Sequence, residues 1–435
     1  MSTHAALPAP PGLSIRGMRY PVVLPNARDP RLHLAAVIVS LQVLGQVAFG
    51  FRLSIAQLLI SLGTCAVLEI AIVLRRQHVL AWPASALLTG NSVAFVLRVP
   101  GTKHGDWWSL HGAWIYAATA AVALLSKYLI RVRGRHVFNP SNLGLVLCFL
   151  VLGPDRADPL DFWWGPMSPT LALALAIIVA GGILILSRLR LLATAVSFWI
   201  AFVAAVATVA ATGHAMSAKW HFGSVGGLHF WTVLATSPEI LVFLFFMLTD
   251  PKTVPAGRRA RIAFAVSVAL LAALLLAPAQ TEFWAKVAVL GALAIACAAR
   301  PAIAALAPAV PARRVAALAA AALVAYGGAL VAGGLHARPG PMPARHAAPF
   351  AQLPRIAIAP SRGVDRRLDR ETAIAIVSDL QRRRLPVGGV RRVTLWLEAK
   401  SGQAAIAIAR LDGRRAVTVE VGQTRGGYGV GRIRR

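Results

Sequence analysis

Acidic side chains are scarce in this 435-residue chain. Sixteen Asp and Glu stand against 45 Lys and Arg, and all charged residues together make up only 14% of it. A water-exposed globular surface carries about a quarter charged residues, so most of the chain is not a soluble domain. Nucleic-acid binding, which a net charge of +29 would otherwise suggest, is set aside because the cations fall in gaps between apolar windows. Cysteine is nearly absent, with Cys65, Cys148 and Cys297 each in a different apolar window, which excludes a disulfide framework. No CxxC or Cys/His cluster has metal-ligand spacing, so neither zinc nor an iron–sulfur cluster is expected. None of the 11 histidines lies in the middle of an apolar window, which argues against a haem held between helices. No GxGxxG follows a strand pattern, and the glycines from Gly422 to Gly431 read as the end of a basic tail. The first 31 residues lack an apolar core and do not read as a signal peptide.

What is abundant is apolar sequence, at 57% of residues. Uninterrupted apolar windows recur from Leu32 to Leu335 and then stop. Each is long enough to cross a hydrocarbon core about 30 Å thick. The spans read as 32–51, 53–74, 79–98, 112–130, 137–153, 169–187, 191–212, 229–249, 262–277, 283–306 and 315–335. The fold class is therefore all-α integral membrane, with about eleven transmembrane helices and membrane lipid as the main partner. If the N-terminus is cytoplasmic, the inside segments hold 19 Lys or Arg and the outside loops six, the bias of a bacterial inner-membrane protein. The plainer alternative, that cations simply decorate wet loops, does not explain their alternation along the chain. Tryptophans at Trp107, Trp108, Trp163 and Trp164 fit an interfacial belt.

The organisation expected is a cytoplasmic tail (1–31), a ten-helix core (32–306), an extra transmembrane helix (307–335), a Pro/Ala/Arg linker (336–360) and a small basic extracytoplasmic α+β module (361–435). In the module, Arg366–Arg384 has helical spacing. Arg392–Glu398, Ala404–Leu411 and Ala416–Val421 alternate like a three-stranded meander.

Charge inside a bilayer is costly, which makes Glu69 and Glu239 the first candidates for function. Glu69 could pair with Arg75 or Arg76. Around Glu239, Ser237-Pro238-Glu239 is a helix-start signature inside a span: a capping hydroxyl, Pro at the first position and an acid at the positive end of the dipole. It predicts a broken helix, with Thr232, Thr236, Glu239, Phe243, Phe246 and Asp250 on one face if the break is mild. A Pro kink with hydroxyls satisfying freed carbonyls would also explain it. The third span is interrupted too, with Pro83 opening it, Ser85, Thr89 and Ser92 on one face, and Gly90 and Asn91 at its middle. These two broken spans hold corresponding places in two five-helix halves of opposite direction, the pattern of inverted repeats with a midplane site. The candidate residues are Thr89, Asn91, Ser237 and Glu239, joined by Asn139, which opens the cap-and-proline start Asn139-Pro140-Ser141-Asn142, and by Asp250.

Two segments, Phe138-Asn139-Pro140-Ser141-Asn142-Leu143-Gly144 and Ser237 through Thr249-Asp250-Pro251-Lys252-Thr253, resemble the membrane-subunit family of RnfD and NqrB. Trp82 to Ser92 and Val99 to Trp108 resemble most closely its UnbU branch, named from enediyne biosynthesis clusters. The likeness covers residues 28 to 306 and implies ten helices as two inverted five-helix repeats. It also implies electron transfer through flavin coupled to ion movement, with other membrane or extracytoplasmic redox subunits as partners. That family carries FMN on the threonine of Ser-Gly-Ala-Thr, which this chain lacks. A non-covalent flavin or a quinone is therefore the cofactor expected. A transporter-like or accessory protein without redox chemistry, linked to secondary-metabolite biosynthesis or export, is the alternative.

Overall fold

The computed structural model describes residues 12–15, 18–24, 29–49, 51–103, 105–160, 169–218, 224–306, 312–337, 355–360, 362, 373, 376–377, 392–400, 404–411, 415–424 and 427–434. The chain is mostly helical. The helices are α1 Pro30–Ala48, α2 Ile55–Gln77, α3 Ala84–Val96, α4 Ala113–Leu129, α5 Pro140–Leu152, α6 Pro169–Leu189, α7 Leu192–Ala211, α8 Gly227–Thr236, α9 Pro238–Val242, α10 Arg258–Leu276, α11 Glu282–Leu306 and α12 Ala312–His336. A single π turn, Phe243–Met247, continues α9. Every stretch read as a span contains a helix. Among the described residues, seven helical stretches are long and apolar enough to cross a membrane, whereas α3, α4 and α5 are shorter. At ~1.5 Å per residue, the 13 residues of α3 and of α5 rise only about 20 Å, which the flanking irregular segments must complete.

Local signals explain the helix ends. Ser54 and Gln57 form a reciprocal capping box at α2, which closes on His78 in a left-handed conformation. Asn139 caps α5 by accepting from the Asn142 amide at 3.1 Å, with Pro140 at the first position. Ser237 breaks the eighth span as its sequence indicates. Its backbone is extended and its hydroxyl accepts from the Ile240 amide at 3.0 Å.

The helices pack in a repeating order. α2 lies against α3 and α4, and α4 against α5; in the same way α7 lies against α8 and α10, and α10 against α11. The two groups meet where α1 touches α6 and α5 touches α11. Between apolar helices in lipid, close fit replaces the hydrophobic effect as the driving force. Gly90 and Gly144 supply it. A Cβ on Gly90 would stand 2.6 Å from the Ser61 carbonyl of α2, and one on Gly144 2.6 Å from the Ala123 side chain of α4. In the second group, Phe198 stacks on Phe202 and tilts against Phe243, with centroids 5.4 and 5.5 Å apart.

Outside the helices, part of the N-terminal tail is ordered as a hairpin of Gly12–Ile15 and Met18–Val23, whose second strand pairs in parallel with Leu80–Ala81. Towards the C-terminus, Arg392–Lys400, Ala404–Leu411 and Arg415–Thr424 form the expected meander. Two strands were not foreseen. Arg355–Ile358, in the stretch read as linker, pairs in parallel with Arg392–Lys400. Gly427–Arg434, read as a tail, pairs with Arg415–Thr424, because its glycines alternate with Tyr428, Val430 and Arg432 in a two-residue period. Val393, Leu395 and Leu397 bury one face of the sheet. The helix expected over 366–384 lies outside the described residues except Ala373, Ile376 and Val377, which are helical and buried. Trp163 and Trp164 also lie outside them.

Candidate functional site

One end of the bundle gathers the basic residues. There Arg261 of α10 donates to the Arg190 carbonyl beside α7, Arg300 of α11 to the Thr253 carbonyl, and the Arg76 guanidinium of α2 lies 5.9 Å from the Tyr128 ring centre of α4. At this end a cavity of about 280 Å³ opens where α1, α3, α4 and α5 meet α6 and the π turn. Its volume sits at the lower edge of the roughly 300–1,000 Å³ usual for small-molecule sites.

Ser85, Thr89 and Ser92, one face of α3 as their spacing requires, line its wall. Phe245 and Phe246 of the π turn also line it, and Asn139 and Ser141 line it from α5. Lys127, at the last turn of α4, reaches across to Glu69 of α2, its Nζ 3.0 Å from both carboxylate oxygens, and donates to Ser85 Oγ at 3.1 Å. The Ser85 hydroxyl, accepting from the lysine, keeps its own proton for a ligand oxygen. Arg75 and Arg76, expected as the partners of Glu69, are exposed instead. They come six and seven residues after it at the helix end, beyond the three or four that bring side chains together.

Electrostatically the wall is close to balanced. Arg31 pairs with Asp29 at 2.5 Å, Lys127 with Glu69 at 3.0 Å, and His136 lies 3.8 Å from Asp250. The Arg31 guanidinium holds the Asp29 carboxyl below its ordinary range. Lys252 adds one exposed ammonium. Such a pocket suits a flat ring rich in hydrogen-bond acceptors better than a multiply charged anion.

The six sequence-derived candidates do not form one site. Thr89, Asn139 and Asp250 line this cavity. Two of those three carry out structural work: the Asn139 amide accepts from Ser141 Oγ and the Asn142 amide and donates to the Met247 carbonyl at 3.3 Å, clamping α5 to the π turn. Asp250 closes the turn after the π segment by accepting from the Lys252 amide at 3.1 Å. Glu239 instead lines a separate pocket of about 60 Å³ with Phe95, Val96 and Lys286. Its carboxylate lies 3.6 Å from Lys286 Nζ, which also donates to the Leu160 carbonyl at 3.1 Å. Lys286, counted by sequence as a loop residue, belongs to the first turns of α11. Ser237 is buried at its cap, and Asn91 lines a third, lateral groove.

The polar stripe expected from Thr232 to Asp250 is therefore split. Ser237 interrupts the helix, and the Leu248 amide bonds the Phe243 carbonyl five residues back, which inserts one residue and rotates the side chains beyond it. Glu239 and Phe243 face one pocket, Phe246 and Asp250 the other. Lys127, Phe245 and His136 were missed as site residues. Glu69 held the signal, because an acid that deep needs a cation at its own level, and Lys127 lies inside a span.

No family model and no curated protein matches this chain. The chemistry open to the site is set by its geometry. Among the described residues, no group of three or more His, Cys, Asp or Glu could hold a metal ion. All three cysteines are free and buried.

Proposed function

We propose that this chain is an eleven-span bacterial inner-membrane protein that holds a flavin or a quinone non-covalently in the basic-end cavity. It would serve there as a subunit of redox-linked transport alongside other membrane or extracytoplasmic redox proteins. The reading joins the resemblance to the RnfD and NqrB subunits, the UnbU branch above all, with one observation. That observation is the near-neutral cavity lined together by Phe245 and Phe246, the hydroxyl-bearing Ser85 and Thr89, and Lys127. Aromatic faces take a planar ring, and the Ser85 hydroxyl, which accepts from Lys127 and keeps its own proton, offers a donor to the ring's oxygens or nitrogens. Ten of the spans form two inverted five-helix halves in this reading. It is supported by the matching packing order of α2–α5 and α7–α11; the eighth span breaks at Ser237, whereas its counterpart α3 is short but runs unbroken from Ala84 to Val96. The basic end is cytoplasmic and the α+β module after α12 is on the other side.

A second reading, transport without redox chemistry, is favoured by a different feature. The basic-end cavity and the smaller Glu239 pocket flank the same π turn and the same helix α3, on which Ser92 and Phe95 are one turn apart.

Protein purified in mild detergent decides between them. The first reading expects substoichiometric flavin or quinone, seen by near-ultraviolet and blue absorbance, that extracts into solvent and leaves the denatured polypeptide colourless. Fluorescence that stays on the denatured band means covalent attachment. Protein that carries neither compound and binds neither when it is added overturns the redox reading and leaves transport.

A further inference from the structure

A groove larger than the cavity runs along the outside of the bundle. α1 packs on α3 and α6, and α2 packs on α3 and α4, so a channel of about 580 Å³ is left between α1 and α2 with α3 as its floor. Its lining on α1 extends from Arg31 to Val47, about 24 Å at ~1.5 Å per residue. One leaflet of a ~30 Å hydrocarbon core is about 15 Å deep, so the groove outruns the reach of a lipid chain anchored at one surface. Its ends are marked by Trp82 and Trp107, both about half exposed.

Two features separate this groove from an ordinary lipid-facing gap. The first is continuity: Arg31 and Leu88 line both the groove and the basic-end cavity, so the two voids adjoin at α3. The second is polarity. Gln42 lines the groove at 7% exposure while its Nε2 is buried without a hydrogen bond, and Asn91, also buried, lines the floor. An unpaired amide donor at hydrocarbon depth is costly unless something accepts from it. A plain acyl chain cannot accept a hydrogen bond.

We propose that the groove is a lateral portal for a bilayer-dissolved compound with one long apolar chain and a head bearing carbonyl oxygens. The head enters between α1 and α2, pairs with Gln42 Nε2 as that side chain turns toward the groove, passes Leu88 and reaches the Ser85 hydroxyl beside Thr89. The chain stays behind in the groove. The proposal rests on the reading of the basic-end cavity as the ligand site and narrows that ligand to one that arrives through the membrane.

Photolabelling of the full chain in lipid nanodiscs tests it. The probes are a decyl-chained benzophenone, which carries a ketone acceptor, and chainless 4-carboxybenzophenone as the water-borne control. The chained probe is expected to label residues around Gln42 and Leu88. Val43→Trp, which fills the groove from an exposed position, should cut that labelling at least about tenfold, since a fully occluded site leaves only background. Gln42→Leu, which removes one donor, should weaken it about three- to tenfold. Labelling near Thr89 by the control should be unchanged in both variants. Labelling spread evenly over the lipid-facing helices, or insensitive to Val43→Trp, overturns the portal. Two further outcomes separate the readings. Cavity labelling by the control without groove labelling by the chained probe sinks the portal alone. Variant-sensitive groove labelling in protein that binds neither flavin nor quinone sinks the redox reading while the portal stands.

Discussion

Replacing Lys127 and Glu69 singly and together measures how much of the cavity wall is structural. The Nζ lies 3.0 Å from each carboxylate oxygen, and the two side chains are 14% and 13% exposed. At that distance and an effective dielectric of ~20, the Coulomb attraction is about 5–6 kcal/mol before desolvation is counted. Desolvation removes much of this, yet losing one partner of a buried pair costs about 3–5 kcal/mol because a charge is left behind. With a residual exposure near one-seventh, Glu69→Gln or Lys127→Gln should each cost about 2–4 kcal/mol, and the double variant little more than either single one. The coupling, about 1.5–3 kcal/mol, is obtained from a double-mutant cycle on reversible unfolding in mixed micelles. The double variant should fold while losing flavin or quinone, since the ammonium that faces the cavity is gone. Additive losses, with no coupling, would refute the pair as a structural tie between α2 and α4. A double variant that folds and binds normally would remove Lys127 from the site.

Three other outcomes are expected. Gly90→Ala and Gly144→Ala each drive a methyl to 2.6 Å from a neighbouring helix and should destabilise by about 1–3 kcal/mol, whereas Gly63→Ala, whose Cβ meets nothing within 4 Å, should be neutral or slightly favourable in the same unfolding assay. His214 is fully buried beside Phe230, and burial pushes its imidazole from 6.5 down to about 4, partly offset by the Ala277 backbone. The unfolded chain then binds the proton more readily, so stability held above about pH 6.5 is lost as pH falls toward 4, by up to roughly 3 kcal/mol, and a His214→Phe protein should lack this acid loss in thermal melts. Glu239→Gln removes the carboxylate 3.6 Å from Lys286 and should lower stability by about 1–3 kcal/mol, with Lys286→Gln in the same chain restoring part of it; no recovery would show that the Leu160 carbonyl suffices for Lys286.

What the sequence determined by itself was local or periodic. Apolar windows located α1 to α12, because burial in lipid acts on each residue in turn. Asn139-Pro140 and Ser237-Pro238 marked two helix starts, because a cap is made within three residues. The spacing of Ser85, Thr89 and Ser92 put them on the one face that lines the cavity. The tertiary structure alone decided which groups meet across helices. Lys127, 58 residues from Glu69, became its partner, and Lys286 became the partner of Glu239. A single π turn, which no local signal announced, divided one expected polar stripe between two pockets. Helical spacing fixes the angle at which a side chain leaves its own helix, but the pocket it enters depends on the neighbouring helix and on any inserted residue that turns the register.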